Sequence, residues 1–232
     1  MSEEILINVT PPETRVALIE NGVAQEIIVE REGHRGLVGN IYKGKVCRVL
    51  PGMQAAFVEI GLERAAFLHA SDIVTPEHEP RSENITELVH DGEEIVVQVV
   101  KDPLGTKGAR LTTNISIPSR FLVFMPALHN IGVSQKIEDE EERQRLRNIL
   151  QQFVQNSDRH GGYIARTAAE AVGEEALHAD MRFLAKLWQG IQERCQATSG
   201  VELIHEDLPL ALRALRDLVG PDVEKVRVDS QE

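Results

Sequence analysis

The sequence predicts an α+β protein that contains a small closed β-barrel of five strands. Three observations support this: five short β-rich runs follow one another between Gly39 and Thr113, glycine or proline stands in most of the gaps, and helical patterns come later. Short strands punctuated by turn residues are typical of barrels rather than of helical units. The five runs are Ile41–Leu50, Ala55–Ile60, Ala65–His69, Ile95–Lys101 and Ala109–Thr113.

The first 35 residues predict a three-stranded meander that needs a partner. Strands are expected at Ile5–Val9, Arg15–Glu20 and Ala24–Glu30, and Asn21-Gly22 is a strong signal for a tight hairpin turn. Because so short a sheet is marginal alone, it should pack on a later part of the chain. A predicted strand at Lys225–Val228 is the candidate, so that the two ends of the chain would form one split sheet.

The connection before the fourth barrel strand contains a charged stretch, Glu77–Asn84, which predicts a solvated loop inserted in the barrel. After the barrel, strands and helices alternate in a β-α-β-α block over residues 119–200, the helices being indicated by apolar residues at three- and four-residue spacing. The block comprises a strand at Phe121–Met125, a helix at Glu138–Gln155, a strand at Gly161–Thr167 and a helix at Glu174–Gln196. A last helix is predicted at Leu210–Leu218, ended by Gly220-Pro221.

The composition is that of an ordinary globular protein. Of the 232 residues, 42% are hydrophobic and 27% charged. No apolar run approaches membrane-spanning length, and the N-terminus MSEEILINVT lacks the regions of a signal peptide. Cys47 and Cys195 are far apart in sequence, and two free thiols are expected rather than a disulfide. These features predict a cytoplasmic location.

The net charge of −12 counts against a nucleic-acid partner, because phosphate binding usually needs a basic surface. The distribution of charge weakens this objection. Seven of the eleven acidic residues between Gly39 and Thr113 lie in the connection Glu77–Glu94, with Arg81 as its one basic residue. Outside that connection the region has seven basic and four acidic residues, so the barrel can present a locally positive face. Any binding of nucleic acid should then be weak and steep in salt.

Phe57 and Phe67 stand in the middle of the second and third predicted barrel strands. Aromatic rings beside cations on such a barrel suit the stacking of single-stranded bases. The alternative is that one or both rings belong to the barrel core, the usual place of a strand phenylalanine, and spacing alone does not decide. The flanking cations are Lys43, Lys45, Lys107 and Arg110. Of these, Lys43, Lys45 and Arg110 are the weaker candidates, for which ordinary surface charge is a sufficient explanation.

No catalytic or metal-binding constellation is visible in the sequence. The acidic clusters Glu138–Glu142 and Glu174-Glu175 are expected to be charged helix starts rather than metal ligands. The eight histidines show no HxxxH or similar spacing, and the two cysteines cannot build a zinc site. There is no nucleophile–base pair and no glycine-rich nucleotide loop. No catalytic residue, metal ligand or cofactor is therefore expected within these residues.

Six stretches carry a resemblance to a known family. They are NIYKGKV, LPGMQAAFVEIGLERAAFLHASDI, VVKDPLGTKGARLTT, FLVFMP, GVSQKIE and GYIARTAAE. They resemble the N-terminal half of the bacterial ribonuclease E/G family, and the resemblance extends over essentially the whole chain. It implies a single-strand-specific endoribonuclease of the cytoplasm that processes ribosomal RNA and degrades messenger RNA.

The resemblance also implies a domain order. Residues 1–37 would be the first part of a ribonuclease-H-like subdomain, residues 38–117 an inserted OB-type RNA-binding barrel of the S1 kind, and residues 118–200 a small α/β sensor of the RNA 5′ end. Residues 201–232 would be the truncated second part of the ribonuclease-H-like subdomain. In the family, a deoxyribonuclease-I-like domain follows, with the catalytic aspartates and Mg²⁺, and then a CPxCxG-like link. This sequence contains neither, so it is expected to bind RNA without cutting it.

Site residues and partners follow from the same resemblance. The residues implied in RNA binding are Phe57, Phe67 and Lys107. Those implied in binding a 5′ monophosphate are Arg166, Thr167 and the backbone N–H of Val123. An arginine can grip a phosphate with two parallel N–H bonds, and an adjacent hydroxyl can add a third. The implied ligand is single-stranded RNA with a 5′ monophosphate, and the complete protein is expected to be a homodimer.

Two other functions fit the residues. One is a stand-alone RNA-binding or assembly module without catalysis, and the other is a protein–protein barrel module, which the net charge of −12 would suit. A gene that continues beyond Glu232 into an aspartate-bearing domain would support the endoribonuclease. An absence of salt-dependent RNA binding would favour the protein-binding module.

Overall fold

A computed structural model describes residues 2–75, 82, 84–155, 161–220 and 222–229. The strands within these residues are β1 (Glu3–Thr10), β2 (Glu13–Glu20), β3 (Val23–Arg31), β4 (Ile41–Leu50), β5 (Ala55–Glu59), β6 (Ala66–His69), β7 (Glu94–Lys101), β8 (Arg110–Thr112), β9 (Ile117–Pro118), β10 (Leu122–Met125), β11 (Ile131–Val133), β12 (Gly162–Ala165), β13 (Glu202–His205) and β14 (Val223–Val228). The α-helices are α1 (Ile85–Leu88), α2 (Glu140–Gln155), α3 (Glu174–Ala197) and α4 (Leu210–Leu218). The chain divides into two compact units, residues 1–36 with 208–232, and residues 37–207.

The first unit is a four-stranded sheet in the order β14-β1-β2-β3. The first three strands form an antiparallel meander, and β14 pairs in parallel with β1. Asn21 and Gly22 adopt φ values of 49° and 81°, as the predicted tight turn requires. Helix α4 supplies Leu210 to a buried core that also holds Ile5 and Ile7. The predicted joining of the two ends of the chain in one sheet is confirmed.

The second unit contains a closed five-stranded barrel, in the order β4-β5-β6-β8-β7, with β7 pairing back to β4. Every pair is antiparallel except β6 with β8. Strand β4 serves two neighbours, since it pairs with β7 up to Lys45 and with β5 from Lys45 onward. At Gly44 a Cβ would lie 2.8 Å from the Glu59 carbonyl oxygen, so the close approach of β5 to β4 requires glycine there. The barrel interior is filled by aliphatic side chains that include Val46, Val58, Leu68, Val97 and Leu111.

A smaller sheet of order β11-β12-β10-β9 follows the barrel within the second unit. Helices α2 and α3 share its hydrophobic core, to which they contribute Leu146, Leu150, Leu177, Met181 and Leu184. Strand β13 returns to pair with the beginning of β4, so residues 202–205 extend the barrel sheet. Ile41 of β4 and Ile204 of β13 belong to the same core as the two helices, which fixes the small sheet against the barrel.

The predicted α+β class and five-stranded barrel are confirmed, and the predicted long helices correspond to α2, α3 and α4. Four elements escape prediction, α1, β9, β11 and β13, each of four residues or fewer. The predicted loop Glu77–Asn84 lies mostly outside the described residues. Cys47 and Cys195 are free thiols. Among the described helices, none is both long and apolar enough to cross a membrane.

Candidate nucleic-acid interface

Phe57 and Phe67 lie on the outer face of the barrel. Both rings are half-buried, whereas their chain neighbours Val58 and Leu68 are completely buried. Successive residues of a strand point to opposite faces, so inward-pointing Val58 and Leu68 turn the two phenylalanines outward. Phe57 and Phe67 are direct partners in the β5–β6 register, and their ring centroids lie 6.2 Å apart at an interplanar angle of 68°. Neither ring is part of the barrel core, which was the alternative prediction.

The strand register extends this pair into a row across the barrel. Arg48 of β4 is the partner of Phe57, Arg110 of β8 is the partner of Phe67, and Lys101 of β7 is the partner of Arg110. Directly opposed residues lie on the same face of a sheet. We call these five residues the aromatic–cation row. Its two rings can stack bases, and its cations lie at both ends of the rings, where the phosphates of a stacked strand would run.

Arg110 and His69 are both held beside the rings by neighbouring polar groups. Arg110 places Nε and Nη2 each 2.9 Å from Oδ2 of Asp72, an ion pair that partly neutralises this cation. The ring centroid of His69 lies 6.4 Å from that of Phe67, and its Nδ1 is 2.8 Å from Oγ of Ser71. Both contacts limit the freedom of side chains that border Phe67, so the outer face of β6 is an ordered surface.

Lys107 is exposed in a tight turn close to Phe67. Leu104 and Lys107 exchange backbone hydrogen bonds of 3.1 and 3.0 Å across this turn. Arg64 fixes the turn from outside, since its Nη1 donates to the Gly105 carbonyl at 2.6 Å. A Cβ at Gly108 would overlap the Ala65 carbonyl oxygen, so glycine allows the turn to lie against the start of β6. The turn therefore places the backbone of Lys107 next to the start of the strand that carries Phe67.

The two weaker lysine candidates have different surroundings. Lys43 Nζ donates to the Thr198 carbonyl at 2.7 Å and pairs with Glu94 at 2.8 Å. The hydrogen bond from Lys43 holds the pKa of the Glu94 carboxyl below its usual value. Lys43 is therefore a structural cation that joins β4 to the end of α3. Lys45 is exposed and stands opposite Glu59, outside the aromatic–cation row.

Arg166 and Thr167 lie together where β12 ends. The Arg166 N–H donates to the Phe121 carbonyl at 2.8 Å, and its Nη1 donates to the Ser119 carbonyl at 2.6 Å. Thr167 follows as an exposed residue at the start of the short 3₁₀ turn Thr167–Ala169. The structure thus fixes the guanidinium of Arg166 over the segment before β10 and leaves the side chain of Thr167 at the surface.

Val123 lies one strand away, in β10, where Ile164 is its partner on β12. Hydrogen-bonded pairs alternate along an antiparallel ladder. Because Arg166 bonds to the Phe121 carbonyl, the next hydrogen-bonded pair is Val123 with Ile164. The register therefore directs the Val123 N–H into the ladder in this structure, and its contribution to phosphate binding stays a prediction.

Asp180 of α3 accepts hydrogen bonds from the segment before β10, to which Arg166 donates. Its Oδ2 accepts from Ser119 Oγ at 2.5 Å and from the Phe121 N–H at 3.1 Å. Burial raises the pKa of the Asp180 carboxyl, while these hydrogen bonds and the charge of Arg166 oppose the rise. Asp180 thereby positions the carbonyl of Ser119 to which Arg166 donates.

Sequence reasoning missed Arg48, Lys101, Arg120 and Asp180. Arg48 and Lys101 belong to the aromatic–cation row only through the strand register. Arg120 is exposed beside the Arg166 segment, with Cζ 5.5 Å from the centroid of the Phe121 ring. Its position next to the FLVFMP motif was the one local signal available. No local signal in the sequence pointed to Asp180, because it lies 61 positions after its partner Ser119.

The described residues contain no group of three or more His, Cys, Asp or Glu side chains that could hold a metal ion. A Mg²⁺ ion needs several oxygen ligands in octahedral geometry. The donor sets in the described ranges therefore do not fit Mg²⁺, which the family resemblance places in a further domain and not among these residues, and no chemical step is assigned to such an ion.

Two models of known protein families match this chain. The model of the S1 RNA binding domain matches residues 37–113, the region of the barrel and of the aromatic–cation row. The model of the Ribonuclease E/G family matches residues 116–232, just over half of the chain. The two matches together cover nearly all of the second unit and the C-terminal part of the first.

Similar proteins include ribonuclease G of Escherichia coli (strain K12), which is 53% identical over 100% of this chain and 48% of its own length. Ribonuclease G of Haemophilus influenzae is also 53% identical, over 98% of this chain and 48% of its own length. Ribonuclease E of Nostoc sp. is 39% identical over 92% of this chain and 31% of its own length. The chain thus spans about half the length of the ribonucleases G that it matches. With a family model over half of its residues, the chain belongs to the ribonuclease E/G family.

Proposed function

We propose that this chain is the RNA-binding and 5′-monophosphate-sensing part of a single-strand-specific endoribonuclease. The complete protein would hydrolyse phosphodiester bonds in the cytoplasm with Mg²⁺, as a homodimer, in ribosomal RNA processing and messenger RNA decay. Its catalytic step would use residues outside these 232. The part played by this chain is to hold an unpaired strand and to read its 5′ end.

The aromatic–cation row is the observation that carries the RNA-binding part of this proposal. Phe57 and Phe67 are turned out of the barrel and lie between Arg48 on one side and Arg110 with Lys101 on the other. Stacking on aromatic rings tolerates any base, and cations beside the rings serve the backbone. Lys107 adds a further charge near the strand of Phe67. Single-stranded RNA is the ligand that uses both features.

The 5′-sensing part is supported by the adjacency of Arg166, which hydrogen bonds hold in place, and the exposed residue Thr167. Contacts to the Ser119 and Phe121 carbonyls orient Arg166, and Thr167 presents its side chain next to it. A terminal phosphate accepts several charge-assisted hydrogen bonds, each worth about 1.5–3 kcal/mol when made to a charged group. A 5′ hydroxyl cannot accept as many, so the site should discriminate between the two ends.

The test is fluorescence anisotropy with one unpaired RNA carrying either a 5′ monophosphate or a 5′ hydroxyl. We expect the monophosphate form to bind about tenfold or more tightly, which corresponds to one charge-assisted hydrogen bond. Thr167→Ala should remove most of this difference without disturbing the fold, because the side chain is exposed. Ser199→Ala, a change of an exposed hydroxyl near the end of α3, is the matched control.

The outcomes separate the two parts of the proposal. Equal affinity for the two RNAs would contradict sensing of the 5′ end and leave RNA binding standing. Binding of neither RNA would contradict the role of the barrel. A preference that survives in both Thr167→Ala and Arg166→Ala would assign the sensing to other residues.

A further inference from the structure

Arg120 is an exposed arginine beside the candidate 5′-phosphate site. The Arg166 Nη1 lies 2.6 Å from the Ser119 carbonyl oxygen and 3.5 Å from the Arg120 carbonyl oxygen. The Arg166 guanidinium therefore rests on the backbone of residues 119 and 120. The side chain of Arg120 starts from this same backbone, so the two arginines are neighbours in space although they lie 46 positions apart in sequence.

The strand register places the Phe121 side chain next to that of Arg166. Leu122 of β10 is the partner of Ala165 of β12, and the two strands are antiparallel. The Arg166 N–H donates to the Phe121 carbonyl at 2.8 Å, which extends the pairing by one residue to Phe121 and Arg166. Directly opposed residues point to the same face of a sheet, with Cβ atoms about 4.5–5.5 Å apart. The side chains of Phe121 and Arg166 therefore leave the sheet side by side on one face.

The Phe121 ring also holds the guanidinium of Arg120. The Arg120 Cζ lies 5.5 Å from the centroid of this ring, within the distance of about 6 Å at which a cation over a ring is attracted to it. Phe121 is partly buried against the hydrophobic core, so its ring is a fixed support. Arg120 and Arg166 thus border one ring, and their positive charges converge there.

Two guanidiniums suit a phosphate at the end of a strand better than a phosphate within it. An internal phosphate carries one negative charge, whereas a terminal monophosphate has a second ionisation with a pKa of about 6 and carries close to two charges at pH 7. An arginine that stacks its face on a ring can still donate from the N–H groups at its edge. Arg120 can therefore remain on Phe121 and add a second positive charge beside the one that Arg166 offers to a phosphate.

We propose that Arg120 supplies the second guanidinium of the 5′-phosphate site and makes the site read the charge of the 5′ end. This role rests on the 5′-sensing function proposed above and extends it from the presence of a phosphate to its charge. Arg166 and Thr167 distinguish a phosphate from a hydroxyl. Arg120 distinguishes a phosphate with two negative charges from a phosphate with one. A strand that ends in a monophosphate is thereby favoured over a strand whose terminal phosphate is esterified.

The experiment measures binding of one unpaired RNA with three different 5′ ends by fluorescence anisotropy, at about pH 7.5 so that a monophosphate is fully ionised. The ends are a monophosphate, a methyl phosphate, which carries only one negative charge, and a hydroxyl. Affinities are compared as ratios within each protein, so that a general loss of attraction to the RNA backbone cancels. For the unaltered chain we expect the monophosphate to bind about fivefold more tightly than the methyl phosphate, and the methyl phosphate more tightly than the hydroxyl.

In Arg120→Gln the monophosphate and the methyl phosphate should bind within about twofold of each other, because the second charge has lost its partner. The preference for methyl phosphate over hydroxyl should persist, since Arg166 and Thr167 remain. Arg120→Lys keeps the charge but not the planar donor edge, so it should retain a ratio of about two- to threefold. Arg182→Gln is the matched control, because Arg182 is an exposed arginine of α3, and both ratios should be unchanged in it.

The results distinguish failure of this role from failure of the function beneath it. A preference for monophosphate over methyl phosphate that is absent from the unaltered chain, or that persists in Arg120→Gln, would overturn the role of Arg120 alone. An equal loss of affinity for all three RNAs in Arg120→Gln would also overturn it, in favour of a contact to an internal phosphate. Loss of both ratios in that variant would assign Arg120 a structural role instead. An unaltered chain that binds the three RNAs alike would overturn the 5′-sensing function and this role together.

Discussion

Replacing Phe67 by alanine is the most direct test of the aromatic–cation row. The ring is half-buried, is the partner of Phe57 in the sheet and lies opposite Arg110 on its other side. Stacking of a base on such a ring is worth about 1–3 kcal/mol by alanine substitution. The middle of this range, about 2 kcal/mol, corresponds to a loss of roughly 30-fold in affinity for single-stranded RNA.

The same substitution also removes the edge-to-face contact with Phe57, whose centroid is 6.2 Å away. Such a contact is worth about 0.5–1.5 kcal/mol. Because it exists in both the free and the bound protein, its loss lowers the free energy of unfolding rather than the affinity. Phe67→Ala should therefore show a modestly lowered melting temperature together with the roughly 30-fold weaker binding.

Anisotropy titrations over a range of salt concentrations separate stacking from charge. Phe67→Ala removes no cation, so the slope of log affinity against log salt should equal that of the unaltered protein. Phe183→Ala is the matched control, since Phe183 is a phenylalanine of α3 that is 57% exposed and lies outside the barrel. An affinity of Phe67→Ala within about twofold of the unaltered protein, or an equal loss in Phe183→Ala, would refute the stacking role.

Three further predictions concern charge, packing and pH. Arg48→Gln should weaken RNA binding about threefold and reduce the salt slope by roughly 0.7, the value for one phosphate contact on a single strand, whereas Arg182→Gln on α3 should change neither. Gly108→Ala should lower the free energy of unfolding by about 1–3 kcal/mol, because the added Cβ would overlap the Ala65 carbonyl oxygen. Gly52→Ala is the control and should not cause such a clash, because a Cβ there meets no atom within 4 Å. Chemical denaturation measures the free energy of unfolding of both variants. Burial raises the pKa of the Asp180 carboxyl, so its ionisation lowers the free energy of unfolding as pH rises from the ordinary aspartate pKa through the raised one. Asp180→Asn should therefore become more stable relative to the unaltered protein over that pH window. An unfolding series from about pH 4 to 7 that shows no such trend would contradict the burial effect.

The fold was largely predictable because its signals are local. The Asn21-Gly22 turn, the glycines between the barrel strands and the apolar spacing of α2 and α3 are each visible within a few residues. The sequence did not decide that Phe57 and Phe67 point outward. Successive residues of a strand alternate between the two faces of the sheet, but this alternation does not say which face is buried. The completely buried Val58 and Leu68 decide it in the structure.

Two of the three cations of the row, Arg48 and Lys101, could not be predicted, because two irregularities in the sheet select them. If the register of Val46 with Val58 continued, Cys47 would be the partner of Phe57; a shift between Val46 and Arg48 places Arg48 there instead. Likewise Val100 would follow Val99 as the partner of Arg110, but a second shift substitutes Lys101. A one-residue shift moves each side chain to the other face of the strand. Each bulge thus brings a basic residue to an end of the row in place of a neutral one.

The bulges also reconcile the net charge of −12 with the RNA binding proposed above. Charges more than about 10 Å away are largely screened at 0.1 M salt, so the local row matters more than the total. Three cations in the row predict a salt slope of only about −2 for a single strand, and the ion pair of Arg110 with Asp72 makes it shallower still. This salt dependence is shallower than the steep one predicted from the sequence. Stacking does not involve counterion release and keeps its strength as salt rises. At physiological ionic strength Phe57 and Phe67 should therefore supply the larger share of the affinity, with the cations directing the backbone across them.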